Sequence, residues 1–220
     1  MPARALRGGL FLTLEGTEGS GKTTQLERLI ARLEAEGYGV TRTVEPGGTE
    51  IGRQIRRILL DSKNSGLDAT AELLLYFASR AQNVAEVIRP GLAAGRAVVC
   101  DRFTDSTLVY QGVGRHLGAD TVTQLHAIAC GELEPHITIY LDIDLETGLA
   151  RAHERNRATA SDETRMDDQG IDFHRRVRAA YLDLAGRARH RFRVIDASGA
   201  MEAVAAAVWA AVEPALEARL

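Results

Sequence analysis

The sequence predicts an α/β fold built on a parallel β-sheet, and three observations support this. Short runs rich in β-branched residues alternate along the chain with segments of helical periodicity, which is the order expected for strands joined by crossover helices. The short runs are apolar along their whole length, as strands are when helices cover both faces of a sheet. No internal repeat or low-complexity linker interrupts the alternation, so we expect a single domain over residues 1–220.

The predicted strands occupy residues 10–15, 39–45, 97–101, 137–142 and 192–196. Helical periodicity covers residues 23–36, 50–60, 69–94, 119–129, 145–155 and 173–187, and the alanine-rich tail is expected to form a terminal helix. Polar residues follow the strands, and ligands of such sheets bind at the carboxyl ends of the strands. We therefore expect the functional site at that edge.

Composition narrows the function classes. The 220 residues are 45% hydrophobic and 26% charged, with a formal net charge of −3, whereas a general nucleic-acid binder needs a denser positive surface. The two cysteines, Cys100 and Cys130, cannot build a disulfide framework, and Cys100 is expected to pack in the core. The first residues lack the apolar run of a secretion signal, and the tail is too polar to span a membrane. We expect a cytoplasmic chain with no nucleic-acid or membrane partner.

The segment "GTEGSGKTT" matches the pattern G-x-x-x-x-G-K-[ST] between a predicted strand and a predicted helix. Its glycines allow successive N–H groups to point inward, and the helix N-terminus adds partial positive charge, so it predicts a phosphate-binding loop and a P-loop NTPase fold. Lys22 is expected to reach the β- and γ-phosphates, and the Thr23 hydroxyl to bind Mg²⁺. The alternative is a glycine-rich turn with an incidental lysine. The predicted ATP-binding residues are Gly16, Thr17, Glu18, Gly19, Ser20, Gly21, Lys22, Thr23 and Thr24.

A phosphate loop serves several classes of protein. A GTPase would carry the guanine-specifying pattern N-K-x-D after a late strand, and the segments "LDIDLE" and "IDAS" do not fit it. ATP-driven motors usually have longer chains. A compact kinase is therefore favoured. Another strand ends at Asp101-Arg102, where the acid can hold a Mg²⁺-bound water and the arginine can bind a phosphate.

Four blocks in order, "EGTEGSGKTT", "EPGGT", "DRFTDSTLVYQG" and "TRMDD", resemble the thymidylate kinase family over nearly the whole chain. The resemblance implies phosphoryl transfer from ATP to dTMP, which gives dTDP and ADP for dTTP biosynthesis and requires Mg²⁺. It also implies a five-stranded parallel sheet and a homodimer. The incoming phosphate of dTMP is itself the nucleophile, so catalysis consists mainly of positioning and charge neutralisation.

The resemblance also implies a set of dTMP-binding residues. Arg102 would bind the phosphate of dTMP, and Glu18 would receive the 3′-hydroxyl of the deoxyribose. A Phe of the family stacks on thymine where this chain has Tyr76, although stacking by the adjacent Phe77 is an alternative. The full expected set is Glu18, Arg53, Tyr76, Arg80, Arg102, Ser106, Tyr110 and Gln111. Arg53 is expected as a second phosphate-facing group, but a solvated arginine fits its position equally. Family members also use the segment matching Asp196-Ala197-Ser198-Gly199 to contact adenine.

The phosphate loop carries no basic residue between Gly16 and Gly21, whereas some thymidylate kinases place one there. The arginine-rich residues 151–168 resemble the mobile lid of the other, bacterial-type group. An arginine delivered by lid closure would neutralise charge on the transferred phosphoryl group. The expected catalytic residues are Lys22, Arg102, Arg151, Arg155 and Arg165, and the expected metal ligands are Thr23 and Asp101. A solvated charged surface is the alternative for the lid segment.

Two other functions fit parts of the sequence. The chain could be a different nucleoside-monophosphate or deoxynucleoside kinase. It could also be a nucleotide-dependent switch without an acceptor, although the "LLLYFASR" and "DRF" blocks indicate a nucleobase pocket that a switch does not need.

Overall fold

A computed structural model describes residues 4–159 and 162–220, and its centre is a parallel sheet. The strand order is β2-β3-β1-β4-β5. The strands are β1 (Leu10–Gly16), β2 (Val40–Val44), β3 (Ala97–Asp101), β4 (Ile137–Asp142) and β5 (Phe192–Asp196). The prediction of a five-stranded parallel sheet flanked by helices is confirmed, and the bounds of the last three strands match the predicted ones.

Helices cover both faces of this sheet. They are α1 (Lys22–Ala35), α2 (Glu50–Leu60), α3 (Ala69–Asn83), α4 (Arg89–Ala93), α5 (Thr104–Thr107), α6 (Ala119–Cys130), α7 (Leu145–Thr159), α8 (Ile171–Arg187) and α9 (Met201–Glu217). Among the helices of residues 4–159 and 162–220, none has the length and apolarity needed to cross a bilayer.

The spacing of apolar residues explains how the helices attach to the sheet. Leu26, Leu29 and Leu33 of α1 follow one another at helical spacing and are buried in a cluster that includes Trp209 of α9. The opposite face carries a second cluster that includes Phe11, Phe103 and Cys100, so Cys100 packs in the core as predicted. Burial of both faces accounts for strands that are apolar throughout.

Two helical regions differ from the sequence prediction. The single helix predicted over residues 69–94 contains a π-helical turn at Val84–Ile88, and Pro90 then lies in the first turn of α4. Proline has no N–H, so a helix start suits it better than a helix interior. No helix was predicted over residues 104–114, where the structure has α5 and a π-helical segment at Leu108–Gly114. Threonine, valine and glycine lower helix propensity there, and burial of most of the segment outweighs it.

Strand register brings the functional segments to one edge. Leu14 of β1 pairs with Asp101 of β3, and Gly16 pairs with Leu141 of β4. The residues that follow β1, β2 and β3 therefore emerge side by side at the carboxyl edge of the sheet.

Candidate active site

The phosphate loop connects central strand β1 to α1. Gly21 has φ 84° and directly precedes the first residue of α1, and this left-handed conformation favours glycine. The Nζ of Lys22 donates hydrogen bonds to the carbonyl oxygens of Gly16 at 3.0 Å and Thr17 at 2.8 Å. Burial, together with the positive charge of Arg102, lowers the pKa of Lys22 to about 8. The predicted ATP-binding residues thus form a loop with a lysine across it and a helix N-terminus behind it.

A cavity of about 320 Å³ lies beside this loop. Its walls come from the phosphate loop, the turn after β2, helices α2 and α3, the segment after β3, and α7 with the residues that follow it. Its lining contains nine of the predicted site residues, namely Glu18, Thr23, Tyr76, Arg80, Arg102, Ser106, Tyr110, Gln111 and Arg155. Side chains distant in sequence therefore meet around one space large enough for a small ligand.

Arg102 has an unusual backbone conformation at the cavity wall. Its φ is 67°, a left-handed value that is uncommon for a residue with a side chain. The guanidinium donates to Ser106 Oγ at 3.1 Å and Tyr110 OH at 3.4 Å, and its Nη2 lies 3.4 Å from Glu18 Oε1. Such a fixed guanidinium can bind a phosphate through two parallel hydrogen bonds.

Glu18 of the loop is buried, accepts a hydrogen bond on one oxygen and has a close ion-pair contact on the other. Its Oε1 accepts a hydrogen bond from Tyr110 OH at 2.7 Å, and its Oε2 lies 3.2 Å from Nδ1 of His174. Burial alone would raise the pKa of Glu18, but His174 and the charges of Arg102 and Lys22 lower it to about 2. Glu18 is therefore an ionised acceptor at the junction of loop and cavity.

A second carboxylate, Glu15 at the end of β1, holds the residues that follow Arg102 by hydrogen bonds. It accepts hydrogen bonds from Phe103 N–H at 2.8 Å, from Tyr181 OH at 2.7 Å and from the Ser106 hydroxyl. Burial, with the negative charge of Asp105, raises the pKa of Glu15 to about 7. Because Ser106 also contacts Arg102, Glu15 helps to orient the guanidinium.

Tyr76 and Phe77 take different positions on α3. Tyr76 lines the cavity, whereas Phe77 is buried in a cluster with Leu73 and Val122. Burial raises the pKa of the Tyr76 phenol to about 12, so the ring is neutral at physiological pH.

Arg80, one helical turn further along α3, is 1% exposed and pairs with Glu45. It also donates to Phe103 O at 3.2 Å and to Thr107 Oγ1 at 2.9 Å. Its Nη1 has no hydrogen-bond partner among the described residues. A buried donor in this state is costly unless something else accepts from it, and Arg80 is part of the cavity wall.

Gln111 lines the cavity, and its side chain is held by Glu72, a carboxylate that sequence analysis did not identify. Its Nε2 donates to Glu72 Oε1 at 2.7 Å. Glu72 is fully buried and also forms ion pairs with Arg115 at 3.2 Å and with Arg165 at 2.7 Å. One carboxylate on α3 thus holds an amide of the cavity wall and two arginines.

The predicted lid arginines lie in different environments. Arg155 lines the cavity and pairs with Asp167 at 2.9 Å. Arg151 is exposed on the same helix. Arg165 is 5% exposed and bound to Glu72 and to the carbonyl oxygen of Leu59, away from the cavity lining. Residues 160 and 161 of the predicted lid lie outside the described residues.

Two of the three arginines of helix α2, Arg53 and Arg56, have different surroundings. Arg53, the predicted one, is exposed and pairs with Glu50 on its own helix. Arg56 lines the cavity, donates to Pro46 O at 3.0 Å and pairs with Glu163 at 2.8 Å. One helical turn separates them, so an inspection of the sequence alone does not distinguish their faces reliably.

The predicted metal ligands lie at the loop. Thr23 is part of the cavity lining, and the charge of Asp101 acts on Lys22 together with those of Glu18 and Glu15. Among the described residues, no three histidine, cysteine or carboxylate side chains form a metal cluster. Hard oxygen donors from one hydroxyl and one carboxylate fit Mg²⁺, which usually takes its other ligands from water and phosphates.

Comparison with known proteins gives consistent results. The profile of the family described as thymidylate kinase matches residues 14–208. Proteins named thymidylate kinase from Solidesulfovibrio magneticus and Geobacter sulfurreducens are 53% and 52% identical, covering 92% and 91% of this chain and 98% and 94% of their own. A crystal structure of thymidylate kinase from Ehrlichia chaffeensis is similar with a TM-score of 0.75 and 32% identity, covering 94% of this chain and 99% of its own. These likenesses confirm the predicted P-loop NTPase fold.

Proposed function

Because the chain belongs to the thymidylate kinase family and is an ATP-dependent dTMP kinase that supplies dTDP for dTTP synthesis, we propose how its residues divide the reaction. ATP binds at residues 16–24 and dTMP binds in the adjoining cavity. The observation that carries this assignment is the contact between Arg102 of the cavity wall and Glu18 of the loop, 3.4 Å apart. It supports an acceptor phosphate site directly beside the donor loop.

On the donor side, Lys22 leaves the loop carbonyls and binds the β- and γ-phosphates, while the N–H groups of the loop bind the remaining oxygens. Thr23 and Asp101 would hold Mg²⁺, which would neutralise charge on the phosphates. The segment Asp196-Ala197-Ser198-Gly199 follows β5 at the same edge of the sheet and is proposed to contact adenine.

On the acceptor side, Arg102 orients the dTMP phosphate for in-line attack, supported by Ser106 and Tyr110. Glu18 receives the 3′-hydroxyl of the sugar. Tyr76 stacks on thymine, and the unpartnered Nη1 of Arg80 donates to a thymine carbonyl. Gln111 and Tyr110 line the pocket for thymidine.

Residues 151–168 form the lid of one kinase domain that spans the chain. Arg155 is best placed to reach the transferred phosphoryl group, since it already lines the cavity. The assignments of Arg53, Arg151 and Arg165 stay predictions, and Arg56 is added as a phosphate-facing residue.

We also propose a cytoplasmic homodimer. Neighbouring helices α2, α3 and α6 each present exposed apolar side chains, including Ile51, Leu74 and Ile128, the last 82% exposed. Pairing of such surfaces buries apolar area.

Release of ADP in the presence of ATP and Mg²⁺ tests the reaction. It is expected to depend strongly on dTMP and to be weaker with dUMP, CMP, AMP or thymidine. ATP turnover that is indifferent to every acceptor would contradict the kinase assignment. A clear preference for another monophosphate would favour a different nucleoside-monophosphate kinase.

A further inference from the structure

The loop carboxylate Glu18 has a partner that lies far away in sequence. His174, on the first turns of α8, is 0% exposed, and its Nδ1 lies 3.2 Å from Glu18 Oε2. The contact is a close ion pair rather than a well-aligned hydrogen bond, because Glu18 Oε2 and both ring nitrogens of His174 lack a hydrogen-bond partner among the described residues. A fully buried imidazole directed at a loop carboxylate is costly to desolvate, so a purely space-filling role would be served better by an apolar side chain.

We propose that His174 is a positioning residue, which pairs through Nδ1 with Glu18 and fixes that carboxylate in the orientation that accepts a hydrogen bond from the acceptor sugar. The inference rests on the proposed role of Glu18 in binding dTMP. His174 itself is not assigned to any contact with substrate.

The geometry around Glu18 supports this role. Tyr110 OH donates a hydrogen bond to Oε1 at 2.7 Å, and Nδ1 of His174 lies 3.2 Å from Oε2, so a contact on each oxygen restrains the plane of the carboxylate. Without His174, the carboxylate could turn about its last side-chain bond while keeping the Tyr110 contact. The charged groups that face Glu18 are Arg102 from the turn after β3 and Lys22 from the loop, and within the described residues neither donates a hydrogen bond to Oε2.

The surroundings of His174 couple the loop to the segment before α8. Burial lowers the pKa of His174, but the Glu18 carboxylate and the Asp167 backbone outweigh it and raise the pKa above its usual value. Phe173 packs edge-on against the imidazole at 5.6 Å. Asp167 also pairs with Arg155. His174 therefore lies between the predicted lid and the loop. A shift of the lid segment can change the orientation of Glu18 through His174.

Substitution by asparagine, leucine and glutamine separates positioning from packing. Asparagine at 174 keeps an N–H donor near the position of Nδ1, whereas glutamine places its donor near that of Nε2, and leucine has none. For H174L and H174Q we expect the KM for dTMP to rise about tenfold, the effect of one lost polar contact to a charged group. The KM for ATP should change less than about twofold, and H174N should restore most of the dTMP affinity.

Two outcomes overturn the proposal. One is a KM for dTMP that is the same in H174N, H174L and H174Q. The other is a matching loss of kcat and thermal stability in all three, which would indicate packing alone. If H174L does not fold, H174Q carries the comparison with H174N.

A double variant distinguishes this inference from the function on which it depends. If His174 acts through Glu18, the KM for dTMP of E18Q/H174L should equal that of E18Q alone, because the coupled effects are not additive. Unchanged dTMP binding in E18Q would contradict the role of Glu18 itself. A large effect of E18Q with none from H174L would contradict only the role of His174.

Discussion

Gly19 of the phosphate loop and Gly148 of α7 approach so closely that neither has room for a β-carbon. A β-carbon on Gly19 would lie 1.9 Å from the Gly148 carbonyl oxygen, and one on Gly148 would lie 2.6 Å from the Glu18 carbonyl oxygen. Main-chain atoms cannot yield as a flexible side chain can. The helix that leads into the predicted lid is therefore packed directly on the backbone of the loop that holds Glu18.

G148A should slow turnover, although alanine favours helix more than glycine. The loop and α7 must separate, and a shift of about 1 Å at an active site costs about 100-fold in rate. G186A in α8 is the matched control, because a β-carbon there meets nothing within 4 Å. It should raise stability by about 0.5–1 kcal/mol without changing kcat. Steady-state kinetics and thermal unfolding check both, and wild-type kinetics in G148A would contradict the packing argument.

K22A should lower kcat by about 100- to 1,000-fold, the cost of removing one preorganised positive group from a transition state. Its fold should persist, since the lysine makes hydrogen bonds only within the loop. K63A, at an exposed lysine, controls for loss of charge. A nearly normal kcat in K22A, measured by ADP release, would refute its assignment.

R102A should raise the KM for dTMP more than the KM for ATP, because the guanidinium lies on the cavity wall. R175A removes an exposed arginine that pairs with Asp172 on its own helix, and it should leave both constants unchanged. The reverse order of effects in R102A would rule out the phosphate-binding role.

Arg56 and Arg53 offer a comparison on one helix. R56A should raise the KM for dTMP about tenfold through loss of a charged contact, since Arg56 lines the cavity. R53A should have the smaller effect, because Arg53 is exposed and pairs with Glu50. Steady-state titrations with dTMP measure both, and a larger effect in R53A would favour the assignment made from sequence.

Glu15 predicts a pH dependence of stability. Its pKa is about 7 in the folded chain and 4.5 as a free group, so between these values the folded state binds more protons than the unfolded state. Stability is therefore lost as pH rises from 4.5 to 7, on the order of 3 kcal/mol for this group.

E15Q removes that titration while keeping an acceptor for Phe103 N–H. The free energy of unfolding of E15Q, relative to wild type, should rise between pH 5 and pH 8 in denaturant titrations. A difference between the two proteins that does not vary with pH would contradict the raised pKa.

Much of the fold could be predicted from sequence because its signals are local. The last three strands are apolar runs with polar residues at their ends, and their bounds matched. The helix at residues 104–114 could not be predicted, because its stability comes from burial of Val109 and Tyr110 against α8 rather than from propensity.

The site divides in the same way. Glu18 and Arg102 have motif spacing or a strand end to identify them. Glu72 and His174 have neither, and Glu15 has a strand end but no local sign of its partners, because these lie tens of residues away and only the folded chain brings them together. Arg165 differs in the opposite way. The resemblance of its segment to a lid suggested a free arginine, whereas Glu72 binds it in the interior.

Glu72 also has a consequence for protein engineering. Gln111, Arg115 and Arg165 share this one carboxylate, so substitutions at the three positions are epistatic. Removing one arginine changes the charge balance felt by the other and by the amide of the cavity wall. Libraries that alter acceptor preference through Gln111 should therefore vary the two arginines at the same time, because single-site scans would miss the compatible combinations.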